Sequence, residues 1–157
     1  MHPVLPIATL SIPFVLAAFA DGQAGAPSFA KVVPNVLVSD MERSIAFYRA
    51  VLGFSLDMTV PDQAPYVFAS MKRGAVEIFL NDAATATHDF PALEGKPLGG
   101  TNTMYVKLDA GIEAYHDQIK SRTTVVFPFT KQPYGMTEFA VTDPDGYVIF
   151  FAQEQAR

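Results

Sequence analysis

The chain states one pattern twice, and this repetition limits the possible folds more than any other feature. In the first copy, Lys31–Val38 alternates as a strand, and Ser39-Asp40 marks a helix start with Glu42 in the first turn. The helix carries Ile45, Tyr48 and Leu52 on one stripe and ends at Gly53. Strands follow at Phe54–Val60, Tyr66–Met71 and Ala75–Leu80, the last two joined through Lys72-Arg73-Gly74. In the second copy, Thr103–Leu108 reads as a strand and Asp109 as a helix cap. Ile112, Tyr115 and Ile119 repeat the three-then-four spacing of the first helix. Strands at Arg122–Phe127, Met136–Thr142 and Tyr147–Ala152 complete the unit, with Asp143-Pro144-Asp145-Gly146 as the final turn.

One β-α-β-β-β unit leaves a sheet face uncovered. Two side by side curl around a shared hollow, the natural place for a ligand. The expected fold class is therefore α+β: two βαβββ modules forming a curved mixed sheet around a shared concave cavity. The modules occupy about 30–82 and 102–154 of a single domain, 30–154. The crossover at 83–101 is rich in Ala, Thr, Gly and Pro, and reads as a mobile connection or a lid. Within it, Gly99-Gly100 suits flexibility rather than a phosphate cradle.

Residues 1–26 stand apart. Val4–Ala20 is apolar except for two hydroxyl residues, and small residues cluster at Ala18-Phe19-Ala20 and Ala24-Gly25-Ala26. This segment reads as a secretory signal peptide or a disordered leader. The first reading places the protein in the periplasm or outside the cell. If the leader reflects a misplaced start, the location is cytoplasmic. Val4–Ala20 is at the lower limit for crossing a bilayer and contains Pro6 and Pro13, so no stable membrane span is expected.

Composition removes several classes of function. A net charge of −5 with no run of five basic residues argues against a nucleic-acid partner and favours a neutral or cationic ligand. The absence of cysteine excludes disulfides, thiolate metal sites and cysteine nucleophiles. No nucleophile elbow, phosphate loop or HExxH motif is present, and no catalytic residue is assigned. His88 and His116 each sit beside an aspartate, but adjacent residues on a helix point in different directions, so both suit structural or solvated roles. Aromatic residues make the positive case for binding. Phe68, Phe79, Tyr105, Phe127, Phe129, Tyr134 and Phe150 lie on strands or strand ends, where a flat ligand could stack against those not consumed by the core.

Two segments resemble a known family. VLVSDMERSIAFYRAVLGF, Val36–Phe54, is similar to the opening motif of the vicinal oxygen chelate superfamily, which includes glyoxalases, extradiol dioxygenases and bleomycin resistance proteins. Asp40, Phe47-Tyr48 and Leu52-Gly53-Phe54 fill its characteristic places. The closing stretch from Lys131 to Gln153 resembles that superfamily's last hairpin. Within it, Gln132-Pro133-Tyr134-Gly135 looks most like bleomycin resistance proteins, with Tyr134 where those proteins often have Trp.

The resemblance implies four inward metal-ligand positions, which here are Val33, Glu77, Thr103 and Phe150. One strong donor among four cannot hold a divalent ion, so no metal and no cofactor is expected. Function is then expected to be metal-independent binding and sequestration of a small aromatic or amphipathic molecule, as in antibiotic resistance by bleomycin-binding relatives. The ligand-binding residues are expected to be Glu77, Phe79, Tyr134, Gly135, Phe150 and Thr103, in a homodimer with sites between subunits. Glu77 could hold a ligand or act as a base; equally, a neighbouring hydroxyl could satisfy it. The alternative is a glyoxalase-like lyase or dioxygenase with a rearranged metal site, using Glu77 and donors such as His88. A third reading is a filled cavity and a purely interacting surface.

Overall fold

The computed structural model describes residues 27–156. The expectations for residues 1–26 lie outside that range. Both modules are present. The first comprises β1 (Asn35–Val38), α1 (Met41–Ala50), β2 (Ser55–Val60), β3 (Phe68–Arg73) and β4 (Val76–Asp82). The second comprises β5 (Thr103–Lys107), α3 (Ile112–Ile119), β6 (Thr124–Lys131), β7 (Met136–Thr142) and β8 (Val148–Glu154). Strand order is β1-β4-β3-β2 in one four-stranded sheet and β5-β8-β7-β6 in the other. In each sheet the module's opening strand pairs parallel with its last strand, and the remaining pairs are antiparallel. The fold is α+β and duplicated, as the sequence predicts.

Local chemistry explains the helices. Asp40 caps α1 by accepting a hydrogen bond from the Arg43 amide, and Glu42 lies in the favourable first turn. After the helix, Gly53 has φ +73, and the Phe54 amide reaches back to the Tyr48 carbonyl. At α3 the expected cap fails. The residue at the start is Gly111, in the left-handed region and without a capping side chain, rather than Asp109. Gln153 of β8 supplies the missing acceptor to the Ile112 amide at 2.9 Å. The crossover also differs from the expected loop, because Asp82 caps a short helix, α2 (Ala83–Asp89), by accepting from Thr85.

The two helical stripes enter one core. Ile45, Tyr48 and Leu52 meet Ile112, Tyr115 and Ile119 in a cluster with Ile78 and Leu80 of β4 and Ile149 and Phe151 of β8. Burial of this apolar surface drives the packing. Polar bonds then join the modules. The Tyr115 hydroxyl donates to the Leu52 carbonyl, and the Arg73 guanidinium, bonded to the same carbonyl, lies 4.5 Å over the Tyr115 ring.

The turn at 143–146 does more than reverse the chain. Asp143 is buried and accepts from the Tyr48 hydroxyl and from the Asp145 and Tyr147 amides. Asp145 accepts from Ser39, Arg43 and Ser44 of the other module. Gly99 of the crossover rests so closely on this turn that a Cβ there would lie 2.6 Å from the Gly146 carbonyl. That glycine permits a close approach rather than flexibility.

Candidate functional site

Alternation along the strands assigns each sheet a core face and an outer face. On β4, Ile78 and Leu80 are buried in the core, leaving Glu77 and Phe79 on the other side. On β8, Ile149 and Phe151 are core, leaving Phe150 outward. On β5, Met104 is core, leaving Thr103 and Tyr105 outward. The expected ligand-binding residues thus divide between two sheets.

On the first sheet, Phe79 packs edge-on against Phe68 with ring centroids 5.1 Å apart. Glu77 accepts from the Ser70 hydroxyl at 3.2 Å, and Lys72 Nζ stands 3.6 Å away. Lys72 pairs more closely with Asp57, at 2.7 Å. The Asp57 bond, ahead of the Glu77 charge, holds the Lys72 ammonium above its ordinary pKa. Of the two readings of Glu77, the one with a satisfied carboxylate has direct hydrogen-bonding support.

The second sheet carries a more organised cluster. Its centre is Glu138 on β7, which is buried and which the sequence presents only as part of a strand. The Tyr105 hydroxyl donates to Glu138 Oε1, and the Tyr134 hydroxyl donates to Oε2 at 2.7 Å. The bond to Glu138 pushes the Tyr105 phenol up to about 12 and also raises that of Tyr134. Parallel pairing of β5 with β8 sets Tyr105 opposite Phe150, and the rings stack with centroids 6.2 Å apart. Phe127 lies 5.6 Å from Phe150. The result is a carboxylate clasped by two phenols, beside an apolar wall.

The remaining expected residues play different parts. Tyr134 is at the rim and 66% exposed. Gly135 has φ +88, and its amide donates to the Gln132 carbonyl, so it forms the turn that presents Tyr134. Thr103 is exposed and paired with Val148, two residues from the Tyr105–Phe150 pair. His116 packs against Phe129 and Phe139, whereas His88 is exposed beside Asp89. One signal for Glu138 was available: it follows Tyr134 by four residues and is the one charged residue of β7.

The residues at the family's metal positions do not fit a metal ion. Val33, Thr103 and Phe150 provide no carboxylate or imidazole to join Glu77. Among the described residues, no group of three or more His, Asp or Glu side chains converges in a way that could hold an ion. Also among the described residues, no helix is long and apolar enough to cross a membrane.

Comparison with known proteins agrees with this fold. Residues 29–151 match the family model described as the Glyoxalase/Bleomycin resistance protein/Dioxygenase superfamily. TnmS3, an antibiotic binding protein from Streptomyces sp. CB03234, is a similar solved structure: TM-score 0.63, 24% identity, covering 83% of this chain and 98% of its own. The bleomycin-binding protein from Streptomyces verticillus, solved with copper(II)-bleomycin, gives TM-score 0.54 at 18% identity, covering 83% and 99%. Lactoylglutathione lyase from Agrobacterium tumefaciens gives TM-score 0.59 at 18% identity, covering 81% and 95%. At these identities the likeness concerns the fold. No curated protein sequence matches the chain.

Proposed function

Since the chain belongs to the glyoxalase/bleomycin resistance protein/dioxygenase superfamily, we propose that it binds and sequesters a small aromatic or amphipathic molecule without a metal ion. The observation that carries this reading is the outer face of the second sheet, where Glu138, Tyr105 and Tyr134 lie beside Phe150. Such a face offers ring surfaces for stacking and a polar anchor that fixes orientation. Sequestration needs affinity alone, because a molecule held in this way cannot reach its target. Two proteins of the same fold, TnmS3 and the Streptomyces verticillus protein, bind an antibiotic and bleomycin respectively, which supports resistance as the biological use. The lyase or dioxygenase alternative would need metal donors that the described residues do not assemble.

We place the complete site between two chains of a homodimer. Residues 1–26 are read as an export signal, and the mass of the mature chain would test that.

The central experiment is native mass spectrometry together with tyrosine-fluorescence titration against a panel of flat aromatic antibiotics. Tyr134→Ala should weaken binding by about tenfold or somewhat less, since one stacking ring is lost. The chain should stay folded because this ring stands at the rim, with only a modest drop in denaturation midpoint from the lost hydrogen bond to Glu138, and a chelator should not affect affinity. Undiminished affinity in Tyr134→Ala, or binding that disappears with chelator, would refute the proposal.

A further inference from the structure

The two outer-face carboxylates differ in how their charge is met. Glu77 has the Lys72 ammonium 3.6 Å away. Glu138 is only 4% exposed, yet none of the ion pairs among the described residues includes it. Both of its oxygens accept hydrogen bonds, the arrangement of an ionised acid. Burying a carboxylate without a cation is costly, and two neutral phenols offset only part of that cost.

The same two phenols supply half of a cation site. Tyr105 is 50% exposed and Tyr134 is 66% exposed, so both rings remain open to solvent while their hydroxyls are anchored on Glu138. A phenol that donates to a carboxylate gains electron density in its ring, which strengthens attraction for a cation above the ring face. Phe150 and Phe127 extend the surface away from this polar end, as an apolar wall without charge.

We infer that this face of β5, β7 and β8 receives an organic cation: a protonated or quaternary amine carried on a flat aromatic body. Its charge lies over Tyr105 and Tyr134 against Glu138, and its body lies along Phe150. The chain's net charge of −5 favours the approach of such a ligand. This inference rests on the sequestration reading and narrows its ligand class.

The test uses three molecules of one shape: 10-methylacridinium, neutral acridine and acridine-9-carboxylate. Each is titrated into the full chain near neutral pH and followed by ligand fluorescence. The cation should bind at least about tenfold tighter than acridine, and the anion should bind weakest. Glu138→Gln should remove the preference for the cation while retaining acridine binding. Tyr134→Leu, at an exposed position, carries the test if Glu138→Gln does not fold, and should reduce the preference. Equal binding of cation and neutral compound overturns the cation assignment and leaves sequestration standing. A preference that survives in both Glu138→Gln and Tyr134→Leu overturns the assignment to this face. Failure of all three probes to bind overturns the inference, and the antibiotic panel then decides separately whether sequestration also falls.

Discussion

Asp145 belongs to the second module's last turn, but its side chain serves the first. Its Oδ1 accepts from the Ser39 amide at 3.3 Å, from the Ser39 hydroxyl and from Arg43 Nη2 at 3.0 Å. Its Oδ2 accepts from the Ser44 hydroxyl at 3.3 Å. Asp145→Ala abandons all of these donors, but not at equal cost. The Arg43 side chain is 47% exposed and turns to water, so its ion pair counts as a surface pair of about 0–1 kcal/mol. Ser39 is exposed and rehydrates in the same way. Ser44 is fully buried, and stranding its hydroxyl costs about 1–3 kcal/mol. The expected loss is therefore about 1–4 kcal/mol, most of it through Ser44. Urea denaturation should show a lower midpoint with an unchanged slope. A double-mutant cycle separates the contributions. In a Ser44→Ala background the cost of Asp145→Ala should fall sharply, because no hydroxyl remains to be stranded. In an Arg43→Ala background it should fall by less than about 1 kcal/mol. The reverse pattern, with Arg43 accounting for the loss and Ser44 irrelevant, would refute the burial argument.

Three further outcomes are expected. Gly53→Ala forces a side chain into φ +73 and sets its Cβ 3.3 Å from Arg73 Nη1, so denaturation should show a loss of about 1–2 kcal/mol. Burial, ahead of its hydrogen bonds, raises the Asp143 carboxyl above its ordinary 3.8, so folding favours its protonated form. Its contribution is full below the unfolded value and is lost as pH rises through the folded one. The stability advantage of the wild type over Asp143→Asn should thus be greatest in acid and narrow with rising pH; a widening gap in a pH series would contradict this. Finally, Glu138→Gln should let Tyr105, held at about 12, and Tyr134 ionise earlier, as an alkaline absorbance titration would register.

What the sequence made legible was the part governed by local periodicity. Ile45, Tyr48 and Leu52 recur as Ile112, Tyr115 and Ile119 because a helix must bury one stripe, and all six are in the core. Gly53 and the Asp143–Gly146 turn carry their own conformational signatures. Features set by distant partners were harder to read. Asp109 looked like a cap for α3, but the acceptor comes from Gln153, forty-one residues away in sequence. Glu138 escaped notice because its importance depends on the β5–β8 register, which brings Tyr105 beside Phe150 and within reach of β7. The α2 helix was hidden because Ala and Thr dominate a segment whose capping signal, Asp82, closes the preceding strand.

Duplication supplies the frame for the remaining step. Two modules with the same strand order present outer faces of the same kind, and each has a carboxylate among aromatic rings. Their electrostatics have diverged. Lys72, directly across the ladder from Glu77, brings a cation to the first sheet and shares it between Asp57 and Glu77. On the second sheet the residues across from Glu138 are Thr130 and Ala152, neither of which carries charge. A threonine and an alanine cannot neutralise a carboxylate, and the two phenols that reach it are neutral hydrogen-bond donors that bring no positive charge. The carboxylate without a cation therefore belongs to the second module, and the one with Lys72 beside it to the first. A ligand that brings its own positive charge would gain on the second face what Lys72 already provides on the first.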